Sequence, residues 1–321
     1  MKHSVIILCL IMLLSCGREP EHIEQQPISG QFPICAARND SAKALPVEVK
    51  VKEWALSGDT LYLLSTERNN FINEISLDDM SLISSYGTIG QGPGEYIFPR
   101  LISSERGGMF LGDAALGVLQ ALSDSLKDDI ICLNQQIPLN NAYLLNDTSL
   151  VYVFYSPNGT RLIVRDLATD EALDSMPLPV IPFANSEMST PNFQVGTNGK
   201  YIVVAYQGAD RFDIIGQSES RRLGSTIVFQ GDAPLGNQNY FFIDLACGEN
   251  YFALLSMKNK DVTHEESYPD IEIYDYQGNP IAKISIDFLA YRILIDDKHN
   301  RLLLLSATDD NVHIIDNNIN S

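Results

Sequence analysis

After residue 45 the chain repeats one pattern six times: a short apolar strand, a tight polar turn, a second apolar strand, a variable connection and two weaker strands. Trp54, Leu101, Tyr143, Phe193, Phe242 and Ile293 hold matching places in the first strand of each copy, at spacings of 47, 42, 50, 49 and 51 residues. Repeats of roughly 40–50 residues with four strands are what a propeller blade needs. The turn after each first strand is rich in Gly, Asn and Asp, as in Ser57-Gly58-Asp59 and Thr197-Asn198-Gly199. These residues tolerate the positive φ of a tight hairpin. Nearly continuous apolar runs follow, at 61–64, 201–205, 251–255 and 302–305. Such runs suit strands buried on both faces between neighbouring sheets. The expected fold is all-β: a six-bladed β-propeller with four antiparallel strands per blade.

The sixth copy is one strand short. It ends with its third strand at 312–315, and only a few polar residues follow. A three-stranded last blade would leave an open edge beside the first blade. Residues 31–37 precede the first inner strand and are apolar from 32 to 37. They are expected to close the ring as the outermost strand of the sixth blade, the other reading being a linker.

Asp and Glu outnumber Lys and Arg by 41 to 22, giving a net charge of −19. A nucleic-acid groove needs clustered Lys and Arg to displace counterions from phosphates, and no such cluster exists. Nucleic acid is therefore not an expected partner. The acidity reads as a solvated surface.

The start of the chain is not part of the fold. Lys2 is followed by an apolar stretch at 5–14, which ends in Leu13-Leu14-Ser15-Cys16. Ten apolar residues are too few to span a bilayer as a helix, so this is a secretory leader. Its ending resembles the bacterial lipobox, which implies cleavage before Cys16 and lipid on that residue; ordinary signal cleavage is the alternative. Residues 17–29 are polar and read as a tether. The domain map is a signal peptide at 1–15, lipidated Cys16 with a tether to residue 30, and a propeller at 31–321. Cys35, Cys132 and Cys247 remain in the folded part, on different blades, with no zinc or redox spacing.

The stretch Y-G-T-I-G-Q-G-P-G-E-Y-I-F-P-R at 86–100 leads into the second copy, followed by G-G-M-F-L-G-D. It resembles the NHL repeat, in which a glycine-rich link ending in an aromatic and a proline precedes each inner strand. Gly90, Gly92, Gly94, Tyr96 and Pro99 fit that pattern, and Asp113 falls where the repeat often carries an acid. Together with the lipobox, the chain resembles the TolB-like six-bladed propeller lipoproteins abundant in Bacteroidetes. The resemblance covers the mature chain in architecture and implies little about activity. The glycines of 90–96 have two readings: an anion-binding nest, or a flexible crossing from one blade to the next. No Gly-Lys-Ser/Thr follows, so this is not a P-loop.

Connection lengths point to a working face. First-to-second and third-to-fourth strand turns share one face of a propeller. Second-to-third connections and blade-to-blade links share the other. The long segments at 87–100, 177–191, 230–240 and 257–270 all fall on the second face. Binding residues concentrate on such loops over a rigid scaffold. Residues just before the inner strands should ring the channel mouth there: Lys52, Arg100, Asn141, Asn192, Asn239 and Tyr291. The three asparagines offer amides for a calcium ion or for sugar hydroxyls, or they cap turns. No resident cofactor is expected beyond that calcium. His264, beside Glu265 and Glu266 in the longest second-to-third connection, is the one histidine placed for chemistry; a solvated acidic loop is its other reading.

No Gly-x-Ser-x-Gly or His-Glu-x-x-His motif occurs. The expected function is a non-enzymatic envelope lipoprotein, membrane-bound through its lipid, that binds a protein or glycan partner on the long-loop face. The alternative is a hydrolase or lyase with a site, calcium-dependent or not, at the channel mouth.

Overall fold

The structure is a computed structural model and describes residues 23–37, 40–104, 108–122, 130–133, 137–139, 141–145, 148–179, 193–232, 241–258, 260 and 267–316. Three strands come first: β1 (Ile23–Pro27), β2 (Ile34–Ala37) and β3 (Asp40–Ala44). Blade 1 is β4 (Val51–Ser57), β5 (Thr60–Ser65), β6 (Asn69–Ser76) and β7 (Leu82–Thr88). Blade 2 is β8 (Pro99–Ser103), β9 (Met109–Asp113), β10 (Val118–Ala121) and β11 (Ile130–Cys132). Blade 3 is β12 (Tyr143–Leu145), β13 (Ser149–Ser156), β14 (Gly159–Asp166) and β15 (Ala172–Leu178). Blade 4 is β16 (Phe193–Thr197), β17 (Tyr201–Tyr206), β18 (Arg211–Gln217) and β19 (Leu223–Gln230). Blade 5 is β20 (Phe242–Cys247), β21 (Tyr251–Ser256), β22 (Asp270–Asp275) and β23 (Pro280–Ser285). Blade 6 is β24 (Ala290–Asp296), β25 (Arg301–Ser306) and β26 (Asn311–Asp316), completed by β3. No helix occurs among the described residues, and the fold is the expected six-bladed β-propeller.

Six hydrophobic clusters replace a single core, one between each pair of neighbouring blades. The second strands explain this. In β5, Leu61 and Leu63 face blade 6 while Tyr62 and Leu64 face blade 2. In β17, Ile202 and Val204 pack towards blade 3, and Val203 and Ala205 towards blade 5. Alternate side chains of a strand leave opposite faces, so a strand between two blades must be apolar at every position. The ring closes where Leu303, Leu305, Val312 and Ile314 of blade 6 meet Trp54, Leu61, Leu63 and Ile75 of blade 1.

Closure by an N-terminal strand holds, but the segment differs from the one expected. β3 pairs antiparallel with β26, from Asp40 opposite Ile315 to Ala44 opposite Asn311. The apolar stretch within 31–37 instead forms β2, a fifth strand running parallel to β23 at the rim of blade 5. β2 needs only an outer edge to pair with, whereas the closing strand must lead directly into β4; the nearer, more polar segment does so. Part of the stretch read as a tether is also ordered: β1 runs parallel to β19 along the rim of blade 4. The first 22 residues of the chain, Cys16 included, lie outside the described residues. β1, β2 and β3 thus strap the outer edges of blades 4, 5 and 6 in turn.

Strand order puts the connections 89–98, 133–142, 179–192, 231–241 and 257–269 on one face. The opposite face carries mostly tight turns, with 122–129 in blade 2 as the longer exception.

Candidate functional site at the channel mouth

The six inner strands enclose a cavity of about 830 Å³. It extends from Glu53 and Arg100 at the long-loop end to Glu249 and Asp297 at the short-turn end. Three inner strands carry a β-bulge near their start. Pairing between first and second strands shifts at Val51/Glu53, Phe242/Asp244 and Ala290/Arg292, which leaves Lys52, Ile243 and Tyr291 out of register. A bulge re-aims the side chains that follow it. Glu53, Asp244 and Arg292 consequently line the cavity, alongside Arg100 and Gln194 from equivalent places in blades 2 and 4.

These side chains tie neighbouring blades together at five of the six junctions, and a backbone bridge between Ser104 and Leu144 joins blades 2 and 3. Glu53 of blade 1 forms an ion pair with Arg100 of blade 2 and accepts the Leu101 N–H at 2.8 Å. Asn141, in the link entering blade 3, donates from Nδ2 to the Phe193 carbonyl of blade 4 at 2.9 Å. Gln194 of blade 4 donates to the Ile243 carbonyl of blade 5 at 3.1 Å, and Gln207 donates to the same oxygen at 3.2 Å. Asp244 of blade 5 accepts the Ile293 N–H of blade 6 at 2.9 Å. Arg292 of blade 6 donates to the Lys52 carbonyl of blade 1 at 3.2 Å, and Lys52 donates to the Pro99 carbonyl of blade 2 at 3.2 Å. The carbonyls of the bulged residues Lys52 and Ile243 are the acceptors in two of these links. A bulged residue is unpaired in its own ladder, so its carbonyl is free for the preceding blade.

Electrostatics at the mouth are balanced but incompletely satisfied. Arg100 and Glu53 remain 30% and 21% exposed. Arg292 Nη1 stands 4.0 Å from Asp244 Oδ1, too far for a hydrogen bond. Burial pushes the Asp244 carboxyl up to about 6, against the opposing pull of Arg292 and the Ile293 amide. Tyr143 also lines the cavity. Burial raises its phenol, and Cys247, Asp244 and Glu53 add to that shift. Burial pushes the Cys247 thiol up to about 12, so it is held as the thiol rather than the nucleophilic thiolate.

Of the residues expected at the mouth, Arg100 and Asn141 are brought together there. Tyr291 is the bulged residue of β24, does not line the cavity and packs against the cluster between blades 6 and 1. Lys52 is likewise at a bulge, with burial and Arg100 lowering its ammonium. Asn192, Asn239 and His264 lie outside the described residues. Glu53, Gln194, Asp244 and Arg292 were not anticipated. Their signal in the sequence is a polar residue near the head of an inner strand: Glu53 and Arg292 lie one place along from the expected Lys52 and Tyr291, Gln194 two places beyond Asn192 and Asp244 five beyond Asn239. Among the described residues no group of three or more His, Cys, Asp or Glu side chains is gathered as a metal site.

The glycine-rich link before blade 2 fills its own nest. Glu95 Oε2 accepts the Gly92 N–H at 2.8 Å, and a Cβ on Gly90 would stand 1.9 Å from that same oxygen. Asp113, fully buried, accepts the N–H groups of Ile97, Phe98, Ala115 and Leu116. The link is therefore a built crossing whose amides meet internal carboxylates. Between blades 4 and 5 the same face is braced by buried Lys258, 2.7 Å from Asp210 and 2.9 Å from Glu272. This pair of ion contacts sits at the base of the connection that carries His264.

No protein-family model matches the sequence, and no curated protein matches it. Solved structures do. A member of the DUF4221 family from Bacteroides vulgatus superposes with a TM-score of 0.55 at 8% identity, over 87% of this chain and 96% of that one. A putative exported protein from Bacteroides fragilis gives 0.54 at 13% identity, over 91% and 98%. An auxiliary nutrient binding protein from Bacteroides thetaiotaomicron gives 0.51 at 12% identity, over 85% and 69%. At these identities the likeness is one of fold.

Proposed function

We propose that this protein is a cell-envelope binding module, held to a membrane by lipid on Cys16, which takes a protein or glycan partner at the long-loop end of the propeller. The observation that carries this reading is the cavity of about 830 Å³ with its polar ring, at the end where the long connections emerge. Clefts of this size with convergent polar groups are where proteins hold ligands. The apolar stretch and lipobox-like ending before Cys16 support export and anchoring. The descriptions of two structural neighbours, as exported and as nutrient binding, fit that setting. The entry of the chain fits it too. β1 is parallel to β19, whose end leads to the long-loop face, so residue 23 starts from the short-turn side. An anchor at Cys16 then leaves the binding face turned away from the membrane.

The test compares the two faces of the propeller. Envelope partners captured by the full-length protein should be lost with Arg100→Ala and Gln194→Ala and kept with Asp59→Ala and Asp78→Ala. Capture that survives the first pair and fails with the second puts the site on the short-turn face and overturns the reading. In parallel, Cys16→Ala should move the protein out of the membrane fraction, because it removes the residue that would carry the lipid.

A further inference from the structure

The cavity mouth holds hydrogen-bonding groups that the fold itself does not use. The hydroxyls of Tyr143 and Tyr155 have no hydrogen-bond partner among the described residues, and both side chains line the cavity. The Asp244 carboxylate takes the Ile293 and Leu245 backbone amides, but Arg292 stands 4.0 Å from its Oδ1 and is not spent on it. Gln194 spends its NH2 on a backbone carbonyl, and its oxygen has no donor among the described residues. The guanidinium of Arg292 uses one N–H on the Lys52 carbonyl and keeps others for the cavity. A mouth lined in this way offers donors and acceptors side by side.

The charges narrow the ligand class. At the long-loop mouth Glu53 and Asp244 are matched by Arg100 and Arg292, while the two further carboxylates of the lining, Glu249 and Asp297, lie at the short-turn end. A free anion meets two carboxylates there, and a free cation meets two guanidiniums. A neutral molecule dense in hydroxyls meets no such opposition and can satisfy both kinds of group at once. The wall supplies the remaining element. Tyr155 stacks on Phe193 with ring centroids 6.4 Å apart and 20° between planes, and Tyr155 is 38% exposed. A half-exposed aromatic face presents an apolar platform beside polar groups. The pyranose ring, with C–H groups on one face and hydroxyls at its edge, matches that combination.

We propose that the long-loop end of the channel is a binding site for a neutral saccharide of one to three rings, stacked on Tyr155 and hydrogen-bonded by Tyr143, Asp244 and Arg292. This rests on the reading of the long-loop face as the binding face and names its ligand class. A site built to hydrogen-bond hydroxyls discriminates strongly against ligands that lack them, because its polar groups are otherwise left unpaired.

The experiment is calorimetric titration of the full chain, solubilised in a detergent without a sugar headgroup. The probes are glucose, mannose, N-acetylglucosamine, maltotriose, cellobiose and diacetylchitobiose, with glucuronic acid and glucosamine as charged counterparts. At least one neutral probe should bind with a Kd of about 1 mM or tighter. Tyr143→Phe and Asp244→Asn should each weaken it by about tenfold, while Asp59→Ala leaves it unchanged. Circular dichroism checks that each variant is folded; if Asp244→Asn is not, Tyr155→Ala on a partly exposed side chain makes the same comparison. No binding by any neutral probe, tighter binding of the charged pair, or affinity indifferent to the Tyr143 and Tyr155 variants overturns the proposal. If saccharides fail while Arg100→Ala still abolishes capture of an envelope partner, the ligand class alone is wrong. If a saccharide binds and is lost through Asp297→Ala at the opposite mouth, the face assignment falls with it.

Discussion

Asp113 closes the second strand of blade 2 with no exposure, and its two oxygens take four backbone N–H groups from two separate connections. Replacing it by Ala leaves those donors without acceptors inside the fold, a loss that water only partly repairs. Asp113→Ala should therefore cost about 2–4 kcal/mol of unfolding free energy, read from the urea midpoint. A loss under about 0.5 kcal/mol, ordinary for a surface change, would show that the link holds its shape without the carboxylate. Asp244 has the opposite character. Its carboxyl is raised to about 6 in the folded chain, against about 4 when unfolded. Below pH of about 4 it is protonated in both states and costs nothing. Between about 4 and 6 the unfolded chain ionises first, so stability falls as pH rises, and above about 6 the full cost of about 2–3 kcal/mol is present. Asp244→Asn should gain on the wild type by that amount between pH 4 and pH 7 in parallel denaturation series. A difference that stays flat with pH would remove the argument for a strained carboxylate at the mouth.

At the scale of elements, the N-terminal strap separates two jobs that look alike in sequence. β1 and β2 add fifth strands to blades that are already complete, whereas β3 supplies the fourth strand of blade 6. β3 buries little apolar surface of its own; its contribution is the ladder to β26 and the shielding of that edge. Truncation to residue 30, or to residue 39, should lower the melting temperature by a few degrees, as expected for about 1 kcal/mol or less in a chain of this size. Truncation through Ala44 should broaden the transition or abolish it, since the ring then ends on an open edge next to blade 1. Equal losses from the first and last truncations would mean that closure does not depend on β3.

For the whole molecule, the question is orientation. Cys16 and Ile23 are seven residues apart, at most about 25 Å of extended chain, so an anchored ring stays close to the bilayer. With residue 23 starting from the short-turn side, that side should sit nearer the lipid. A fluorophore attached through Asp78→Cys, exposed on the short-turn face, should be quenched by brominated lipid in proteoliposomes. One attached through Phe98→Cys, at a position 67% exposed on the long-loop face, should not. The reverse pattern would turn the mouth towards the membrane and contradict the binding face assigned to it.

The repeat by itself carries the blade count, the strand order and the need for N-terminal closure. Those properties follow from local alternation: a strand with neighbours on both sides must be apolar at successive positions, and the turn residues mark its ends. What faces the channel was decided elsewhere. The partners at the mouth are one blade apart, as Glu53 and Arg100 are, 47 residues along the chain, so no short pattern records them. Three bulges then move the lining position by a residue, from Lys52 to Glu53 and from Tyr291 to Arg292. A bulge is a compromise between a strand's own pairing and the blade beside it, and only the closed ring supplies the second term. The same holds for the strap. The sequence singles out only 31–37 as a closing strand; that 40–44 seals blade 6 instead depends on how far round the rim the chain has travelled when it reaches β4.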